Sequence, residues 1–450
     1  MTLSLRKHLE NLKRKNDLLI VRRPVDARFE LGALVNKFKG TRPIFFEHVQ
    51  GYSQPVAAGL CGDRRRVAET LGVKVDELIP KYIEAISSPL PSRVVSGGPV
   101  QETVITRGID IPKLFPVPTF HEKDSAPFIT AGVLIVKDPA GGRRYTSIRR
   151  MQVNGGNRLS ILIESPGLMQ MYRDYEAQNR PLEVAVMLGV HPIITLASQL
   201  STQHFGLDKI DVAGALAGQP VELVRCRTVD LEVPAEAEIV LEGRMLPYVR
   251  YKEGPFGELA GYYGPASEQP VVEISAITHR NNPIFQTIFP SSFEHKLPNA
   301  LMREVLLFLH VRHIVPDVKA VHLTMAGSGR FHAIVSIQKK YEGEGKSAIM
   351  AALASNKDVK HVVVVDDDVD IFDPFEVEWA IASRVQADQD VVIIPGARGN
   401  GLDPSNNLRG YSAKMGIDAT YPLNAAEVFQ RPVIPGSDRI RLEDYLEDGW

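Results

Sequence analysis

The sequence predicts a multidomain protein of mixed α+β and α/β class, in which a strand-rich middle separates two α/β regions. The chain has 450 residues, which is more than one domain usually contains, so two or three domains are expected. Short apolar runs alternate with helical patterns near both ends, whereas strand patterns dominate between them. We therefore predict domains at residues 1–100, 101–300 and 301–450.

The N-terminal region is predicted to be a small α/β unit. Leu5, Leu9 and Leu12 give the first segment helical spacing, and Asp63 is placed to cap a later helix. A cluster of proline and glycine at residues 89–99 marks the end of the region. Helices are expected at 4–16, 26–37, 64–71 and 75–86, and strands at 18–21 and 44–46.

The central region is predicted to be mostly β-structure. Many strands with long connections favour a barrel or a sandwich. Strand patterns occur at 102–106, 129–137, 145–153, 158–163, 182–188, 220–226, 239–243, 271–279 and 283–288, and helical patterns at 167–178 and 209–217.

The C-terminal region returns to alternating helices and strands. The β-branched run at 361–365 is typical of a buried strand. After residue 397 the chain is rich in glycine, asparagine and proline, and a short helix is predicted at 437–446. The other helices are expected at 301–311, 347–354 and 375–384, and the other strands at 318–324, 333–337 and 390–394.

Charge, hydropathy and cysteine content exclude several functional classes. The 52 basic and 54 acidic residues give a formal net charge of -2, so no bulk field favours nucleic acid or an anionic membrane. No apolar run is long enough to span a bilayer, and the charged start of the chain is unlike a secretory signal. Cys61 and Cys226 lie far apart, which suits a reducing compartment. We expect a cytoplasmic protein.

The segment Glu253-Gly-Pro-Phe-Gly-Glu258 carries the strongest candidate chemistry. Its glycines and proline indicate a shaped loop, which can aim both acids at one place. Paired carboxylates in different environments supply an acid and a base at neutral pH. The alternative is a Gly-Pro turn with two solvated glutamates, and the local pattern leaves both interpretations open.

Three groups of charged residues also have a functional and a structural interpretation. An arginine from the pair Arg149-Arg150 would hold one nearby glutamate ionised and leave another free to carry a proton, whereas the alternative is a solvated basic pair. The run Asp366–Asp368 follows a strand pattern, and helix capping is favoured over metal binding because no other ligand lies nearby. Cationic groups at His295, Arg303 and Arg330 can bind a carboxylate or remain surface charge.

Five motifs in one order resemble the UbiD-type decarboxylases, the family that includes 3-polyprenyl-4-hydroxybenzoate decarboxylase and ferulate decarboxylase. The resemblance covers nearly the whole chain. It implies a central split β-barrel like that of flavin reductases and a C-terminal α/β domain used to form a homodimer or homohexamer. The motifs are Arg150-Met-Gln-Val153, Val233-Pro-Ala-Glu-Ala-Glu238-Ile-Val-Leu-Glu-Gly243, Glu253-Gly-Pro-Phe-Gly-Glu258, Val364-Val-Asp-Asp-Asp-Val369 and Lys414-Met-Gly-Ile-Asp-Ala-Thr420.

The resemblance also implies a reaction and a cofactor. The reaction is the reversible, non-oxidative decarboxylation of an aromatic, heteroaromatic or α,β-unsaturated acid, and the cofactor is prenylated FMN from a partner flavin prenyltransferase. Decarboxylation leaves an electron pair that no side chain can accept, so a cofactor is chemically required. The implied catalytic network is Arg150, Glu253 and Glu258, with Glu258 as the proton donor. The implied cofactor contacts are Ile148, Arg149, Lys209 and Lys414.

The chain departs from the family pattern at the positions that hold a divalent metal and a monovalent cation. Tyr145, Pro166 and Lys209 stand where the resemblance leads one to expect asparagine, histidine and glutamate ligands. Manganese, magnesium and potassium are therefore not expected. We hypothesise that the Lys209 ammonium meets the flavin phosphate directly, aided by Arg149 or Lys414. The alternative is altered or lost cofactor binding, in a non-catalytic subunit or a ligand-binding protein.

The segment Pro290-Ser-Ser-Phe-Glu-His295 points to the substrate. It resembles a branch of the family in which a histidine and an arginine eight residues later face the substrate. Those positions are His295 and Arg303, and Arg330 is placed to join them. Such groups suit a second carboxylate, as on a heteroaromatic diacid.

Overall fold

The computed structural model describes residues 3–138, 142–200, 206–406, 410–441 and 444–445. Its helices are α1 (Leu5–Arg14), α2 (Glu30–Lys37), α3 (Arg64–Leu71), α4 (Leu78–Ser87), α5 (Ile111–Leu114), α6 (Pro166–Ala177), α7 (Pro192–Ser198), α8 (Lys209–Ala217), α9 (Phe293–Ile314), α10 (Glu344–Ser355), α11 (Pro374–Arg384) and α12 (Ala387–Asp390). Short 3-10 turns lie at Pro99–Gln101, Leu423–Ala425 and Ser437–Arg439.

The strands of the described residues, in chain order, belong to five sheets. They are β1 (Leu19–Val21), β2 (Ile44–Phe46), β3 (Val56–Ala58), β4 (Arg93–Val94), β5 (Thr103–Ile105), β6 (Phe128–Lys137), β7 (Arg144–Val153), β8 (Arg158–Ile161), β9 (Leu182–Leu188), β10 (Glu222–Arg225), β11 (Glu232–Pro234), β12 (Ile239–Glu253), β13 (Phe256–Gly257), β14 (Tyr263–Gly264), β15 (Ser267–His279), β16 (Phe285–Gln286), β17 (Val318–Leu323), β18 (His332–Ile337), β19 (His361–Asp366), β20 (Val391–Arg398) and β21 (Tyr411–Ala419).

Antiparallel strands close into a ring in the middle of the chain. Hydrogen-bonded pairing runs from β12 through β9, β6, β7 and β8 to β15, and β15 pairs back onto β12. Register shifts at Glu242/Gly243 and at Met245/Arg250 bend the long strand β12, as closure of a sheet requires. The strand-rich middle predicted from the sequence is confirmed. The comparison with the flavin-reductase split barrel stays a prediction.

Strand β6 reads as a nearly continuous apolar run because its two faces enter different hydrophobic cores. Val133 and Ile135 pack with helices α1, α3, α7 and α8 in one core. Leu134 and Val136 pack with the other ring strands in a second core. Successive side chains of a strand point to opposite faces, so a strand buried on both faces loses the usual polar alternation.

The N-terminal region forms a four-stranded sheet that is completed from elsewhere in the chain. Strands β1, β2 and β3 are joined by β16, which follows the ring in sequence. The side chain of Asp63 accepts a hydrogen bond from the Arg66 amide and begins α3, as predicted. The helix predicted at 26–37 begins only at Glu30, because Phe29 has a φ of 70°, outside the helical region. The predicted division of the chain near residues 100 and 300 stays a prediction.

The C-terminal region forms the sheet β17-β18-β19-β21-β20 with helices on both faces. Val362 and Val364 of β19 face α9 and α10, whereas Val363 and Val365 face α11. The tail after residue 397, for which no strand was predicted beyond 394, contains the strand β21. Of the short helix predicted at 437–446, the described residues show a 3-10 turn at Ser437–Arg439, and residues 442, 443 and 446 lie outside the described part. Within the described residues, no helix has the length and apolar character needed to cross a bilayer.

Candidate active site

Arg150 joins the two glutamates of the predicted pair. Its Nε and Nη2 atoms each lie 2.8 Å from a different carboxylate oxygen of Glu253, and Nη1 donates to Oε1 of Glu258. Glu253 is fully buried and Glu258 is 8% exposed. The guanidinium also lies 4.8 Å from the ring centre of Phe256. The interpretation of this loop as a solvated turn is therefore wrong, because both acids are buried and share one arginine.

Hydrogen bonds from neighbouring segments hold the loop between the two glutamates. The Gly254 amide donates to Oε1 of Gln152 at 2.9 Å, and the Gly257 amide donates to Oδ1 of Asp124 at 3.0 Å. The Gly254–Pro255 peptide bond is cis, and β13 and β14 pair across the turn that follows. A Cβ atom on Gly264 would lie 3.0 Å from Cγ of Glu258, so the loop has little room for a larger residue beside that acid.

The two glutamates occupy different electrostatic environments. Glu253 receives both hydrogen bonds of a bidentate arginine pair, the arrangement that best compensates a buried carboxylate. Glu258 shares only one guanidinium nitrogen and accepts a second hydrogen bond from the Leu259 amide at 2.9 Å. Burial raises the pKa of Glu258 above its ordinary value, although Arg150 opposes that rise. The site therefore combines one firmly paired carboxylate with one that can carry a proton.

A second cluster consists of Tyr145 and Arg149 of β7 and Lys209 of α8, and it carries two cationic groups. Arg149 donates to the Tyr145 hydroxyl at 2.9 Å, and Tyr145 donates to the Ser165 hydroxyl at 2.7 Å. The Lys209 ammonium lies 5.6 Å from the ring centre of Tyr145 and donates to the Ser198 carbonyl at 2.8 Å. The structure thus brings Tyr145 and Lys209 together with Ser165, the residue next to Pro166. Tyr145, Pro166 and Lys209 are the three positions at which replaced metal ligands were predicted.

Lys209 is a buried ammonium with spare hydrogen-bonding capacity. It is 4% exposed and makes one hydrogen bond to the described residues, whereas an ammonium has three donors. Burial, together with the charge of Arg149, lowers the pKa of Lys209 to about 7. Removing a lysine from water is costly unless an anion compensates it. The cluster therefore fits an anionic group.

The described part of the chain contains no group of three or more histidine, cysteine, aspartate or glutamate side chains that could hold a metal ion. Asp366, the last residue of β19, and Asp368 form ion pairs with Arg384, and the next helix is capped by Asp373 instead. Asp366 accepts a hydrogen bond from Arg384 at 3.0 Å, and Asp368 accepts one from the same arginine at 2.6 Å.

The three predicted substrate-binding residues lie near one another. Arg303 donates to Oδ2 of Asp358 at 2.9 Å, and the nearest guanidinium nitrogen of Arg330 lies 4.0 Å from the same oxygen. Burial, followed by the charges of Arg330, Lys296 and Arg150, lowers the pKa of His295 to about 3, so this imidazole is neutral at physiological pH. The charge of Arg330 also acts to lower the pKa of Glu258, against the larger effect of burial.

Two predicted cofactor contacts have other partners in this structure. The Lys414 ammonium donates to the Leu353 carbonyl at 2.8 Å and to the Asn356 carbonyl at 3.2 Å, at the end of α10. Ile148 pairs with Val133 of the neighbouring strand β6, and its side chain contacts both hydrophobic cores. Their contacts with a flavin stay predictions.

Sequence reasoning missed three residues that shape the site: Gln152, Asp124 and Asp358. Gln152 had a signal, since it lies two residues after Arg150 on one strand and therefore on the same face. Asp124 and Asp358 had none, because each reaches its partners from a distant part of the chain.

Three family models match consecutive parts of the chain. They describe the N-terminal, Rift-related and C-terminal domains of 3-octaprenyl-4-hydroxybenzoate carboxy-lyase, and they match residues 9–86, 93–293 and 297–419. Together they span most of the sequence in the order that the domains have in this family.

Similar proteins agree with the family models. A relative from Methanothermobacter thermautotrophicus called anhydromevalonate phosphate decarboxylase is 39% identical over 92% of this chain and 96% of its own length. The UbiD-class enzyme HmfF from Pelotomaculum thermopropionicum, solved in complex with FMN, has a TM-score of 0.96 at 51% identity, covering 98% of this chain and 100% of that chain. An evolved dimeric form of HmfF in complex with prFMN has a TM-score of 0.92 at 49% identity, covering 99% and 100%. The chain therefore belongs to the UbiD family and is a decarboxylase of the carboxy-lyase class.

Proposed function

We propose that this chain is a prenylated-FMN-dependent enzyme that reversibly decarboxylates an aromatic, heteroaromatic or α,β-unsaturated acid without oxidation. The observation that carries the proposal is the buried contact of Arg150 with both Glu253 and Glu258, in a member of a decarboxylase family. When bound, the cofactor supplies the electron sink that these side chains lack.

Glu258 is the proposed proton donor. As the bond from carbon to the carboxylate breaks, the electron pair left behind must receive a proton, and Glu258 supplies it. Its raised pKa favours the protonated form before the step. The carboxylate formed afterwards is stabilised by Arg150, whose second partner Glu253 keeps the guanidinium oriented. In the reverse direction Glu258 accepts the proton.

The cationic cluster around Lys209 is the proposed anchor for the flavin phosphate. Its ammonium and the guanidinium of Arg149 are donors of the kind that bind phosphate oxygens. Tyr145, which both groups contact, lies five residues before Arg150 along β7, and five residues of strand span about 16 Å. That distance suits an extended cofactor with its phosphate at one end and its rings at the other. A divalent metal does not fit this cluster, because an ammonium and a guanidinium repel it and Lys209 stands where the glutamate ligand is expected. No step of the reaction is assigned to a metal.

The proposed substrate carries a second anionic group beside its reacting carboxylate. Arg303 and Arg330 offer guanidinium donors beside Asp358, and the neutral imidazole of His295 offers a further hydrogen-bonding group. A heteroaromatic diacid matches this set. We also propose that a flavin prenyltransferase supplies the cofactor and that the enzyme works as a homodimer or homohexamer.

The test is the colour and activity of protein co-expressed with a flavin prenyltransferase. The proposal predicts a bound flavin-like chromophore, release of carbon dioxide from an acid of the proposed class, and well under one divalent metal ion per chain. Apo-protein with an intact fold that stays colourless would instead favour the ligand-binding alternative. About one manganese or magnesium ion per chain in active protein would contradict the metal-free anchor alone.

A further inference from the structure

Asp358 is a buried carboxylate outside every motif that identified the active site. It lies in the turn between α10 and β19 and is 3% exposed. Its own amide donates to Oδ1 of Asn356 at 2.9 Å, which fixes the turn. From this turn the side chain faces the cationic groups of α9 and of the turn before β18.

Both oxygens of Asp358 are occupied by cations or donors. Oδ2 accepts from Arg303 at 2.9 Å and lies 4.0 Å from Arg330. Oδ1 accepts from the Asn400 side-chain amide at 2.7 Å and from Lys357 at 2.6 Å. Burial opposes ionisation, but the charges of Arg303, Arg330 and Lys357 outweigh it and hold the pKa of Asp358 below its ordinary value. Asp358 is therefore an anion that bridges two arginines.

The two arginines keep donors that nothing in the described chain accepts. The Nε atoms of Arg303 and Arg330 are buried and have no hydrogen-bond partner among the described residues. An unpaired buried donor is unfavourable, and a charged one more so, so a bound anion that accepts from both atoms would stabilise the pair. Together with the Lys357 ammonium, the two guanidinium groups leave an excess of positive charge over the single carboxylate of Asp358, so the group can bind an additional carboxylate.

Without Asp358 the arginines would face each other as buried like charges. Burial and the neighbouring Arg330 already lower the pKa of Arg303 to about 10, although it remains charged at neutral pH. Arg303 has one further anchor, the side-chain oxygen of Asn299 on the same helix, whereas the guanidinium of Arg330 makes no hydrogen bond within the described residues. The shared oxygen of Asp358 is thus the feature that sets the spacing of the pair.

We propose that Asp358 is a positioning residue that fixes Arg303 and Arg330 as a two-arginine clamp for the second carboxylate of the substrate. Asp358 does not touch the substrate in this arrangement and acts through the arginines. This inference rests on the proposed function, since it concerns the substrate of the same site.

The experiment measures binding and turnover with pairs of acids that differ by one carboxylate. Benzene, pyridine and thiophene rings are each used as the diacid and as the monoacid, with holoprotein, and dissociation constants come from calorimetry. Wild type is expected to bind a diacid more tightly than its monoacid. Asp358→Asn is expected to weaken diacid binding about tenfold or more, while monoacid binding and kcat for a diacid that is turned over change by less than about threefold.

The matched control is Asp366→Asn. Asp366 is as buried as Asp358 and forms an ion pair with one arginine, Arg384, on the other face of the same sheet. This substitution should lower thermal stability without changing the preference for diacids. Diacid binding by Asp358→Asn that is unchanged, or tighter because a competing carboxylate was removed, would overturn the inference, and so would a wild type without diacid preference. Because calorimetry needs no turnover, diacid preference without carbon dioxide release would contradict the proposed function and leave the clamp supported.

Discussion

Lys209 is the residue on which the proposed metal-free anchor for the flavin phosphate depends. Its pKa is lowered to about 7, so the ammonium is charged at lower pH and becomes neutral as the pH rises. A neutral amine cannot hold a phosphate as an ion pair. We expect the affinity of apo-protein for FMN, measured by fluorescence titration, to fall as the pH rises from about 6 to about 9.

Substitutions of Lys209 separate its charge from other effects of pH. Lys209→Arg keeps a positive charge throughout this range and should flatten the profile, whereas Lys209→Met should weaken FMN binding about tenfold or more at low pH. Lys137→Met serves as the control, because Lys137 lies at the end of β6 and forms an ion pair with Glu232 of β11. Equal FMN affinity of wild type and Lys209→Met at about pH 6 would exclude Lys209 from the phosphate anchor.

Glu294 predicts a pH dependence of stability that is independent of catalysis. Its carboxylate accepts hydrogen bonds from the amides of Gly59, Leu60 and Cys61, yet full burial raises its pKa to about 7. An acid whose pKa is raised on folding stabilises the fold below its unfolded pKa, near 4.5, and loses that contribution as the pH rises through about 7.

The stability of wild type over Glu294→Gln should therefore shrink between about pH 5 and pH 8, by on the order of 2 kcal/mol. Thermal unfolding midpoints of the two proteins across this range give the comparison. An advantage of wild type that grows with pH would mean that the three amides keep Glu294 ionised.

Helix α9 connects the N-terminal region with the C-terminal sheet, because its acidic residues bind partners in both. Glu304 is fully buried and lies 2.6 Å from Arg64 of α3, 3.1 Å from His322 of β17 and 2.8 Å from the Leu323 amide. Burial alone would raise its pKa, but Arg64 and His322 outweigh burial and lower the pKa to about 2. The same helix carries His295 and Arg303, so its position sets the substrate side of the site.

Glu304→Ala should destabilise the protein by about 3 to 5 kcal/mol, because it leaves the partly buried Arg64 without its anion. Glu69→Ala is the matched control, since Glu69 forms an ion pair with Lys15 in which both side chains are more than half exposed, and it should change stability by less than about 0.5 kcal/mol. Denaturant unfolding reports both. A loss for Glu304→Ala no larger than that of the control would show that α9 is held by apolar packing alone.

At the scale of the whole molecule, the parts that the sequence predicted are those whose signal is local. The order of strands and helices, the bounds of α3, β9 and α8, and the cap at Asp63 follow from periodicity and capping within a few residues. For the segment Glu253–Glu258 the sequence left two interpretations open, a solvated turn and a pair of acids aimed at one place. The burial of both glutamates beside Arg150 excludes the solvated turn.

The parts that could not be predicted depend on contacts between distant segments. Strand β16 joins the N-terminal sheet across more than 200 residues of sequence. Strand β21 lies in a polar, glycine-rich tail without a local strand pattern, and its pairing with β19 and β20 places it in the sheet. Asp358 gains its role only when α9 brings Arg303 beside the turn before β19. Local patterns carry no information about such contacts.

The central claim is that Glu258 protonates the carbon left by decarboxylation. The most direct test is the decarboxylation rate of Glu258→Gln in holoprotein whose chromophore spectrum matches wild type. We predict a fall of about 100-fold or more, since a positioned general acid contributes that much, whereas Glu268→Gln, which changes an exposed glutamate of β15, should remain near wild type. A rate for Glu258→Gln within about threefold of wild type, with the chromophore bound, would contradict the assignment.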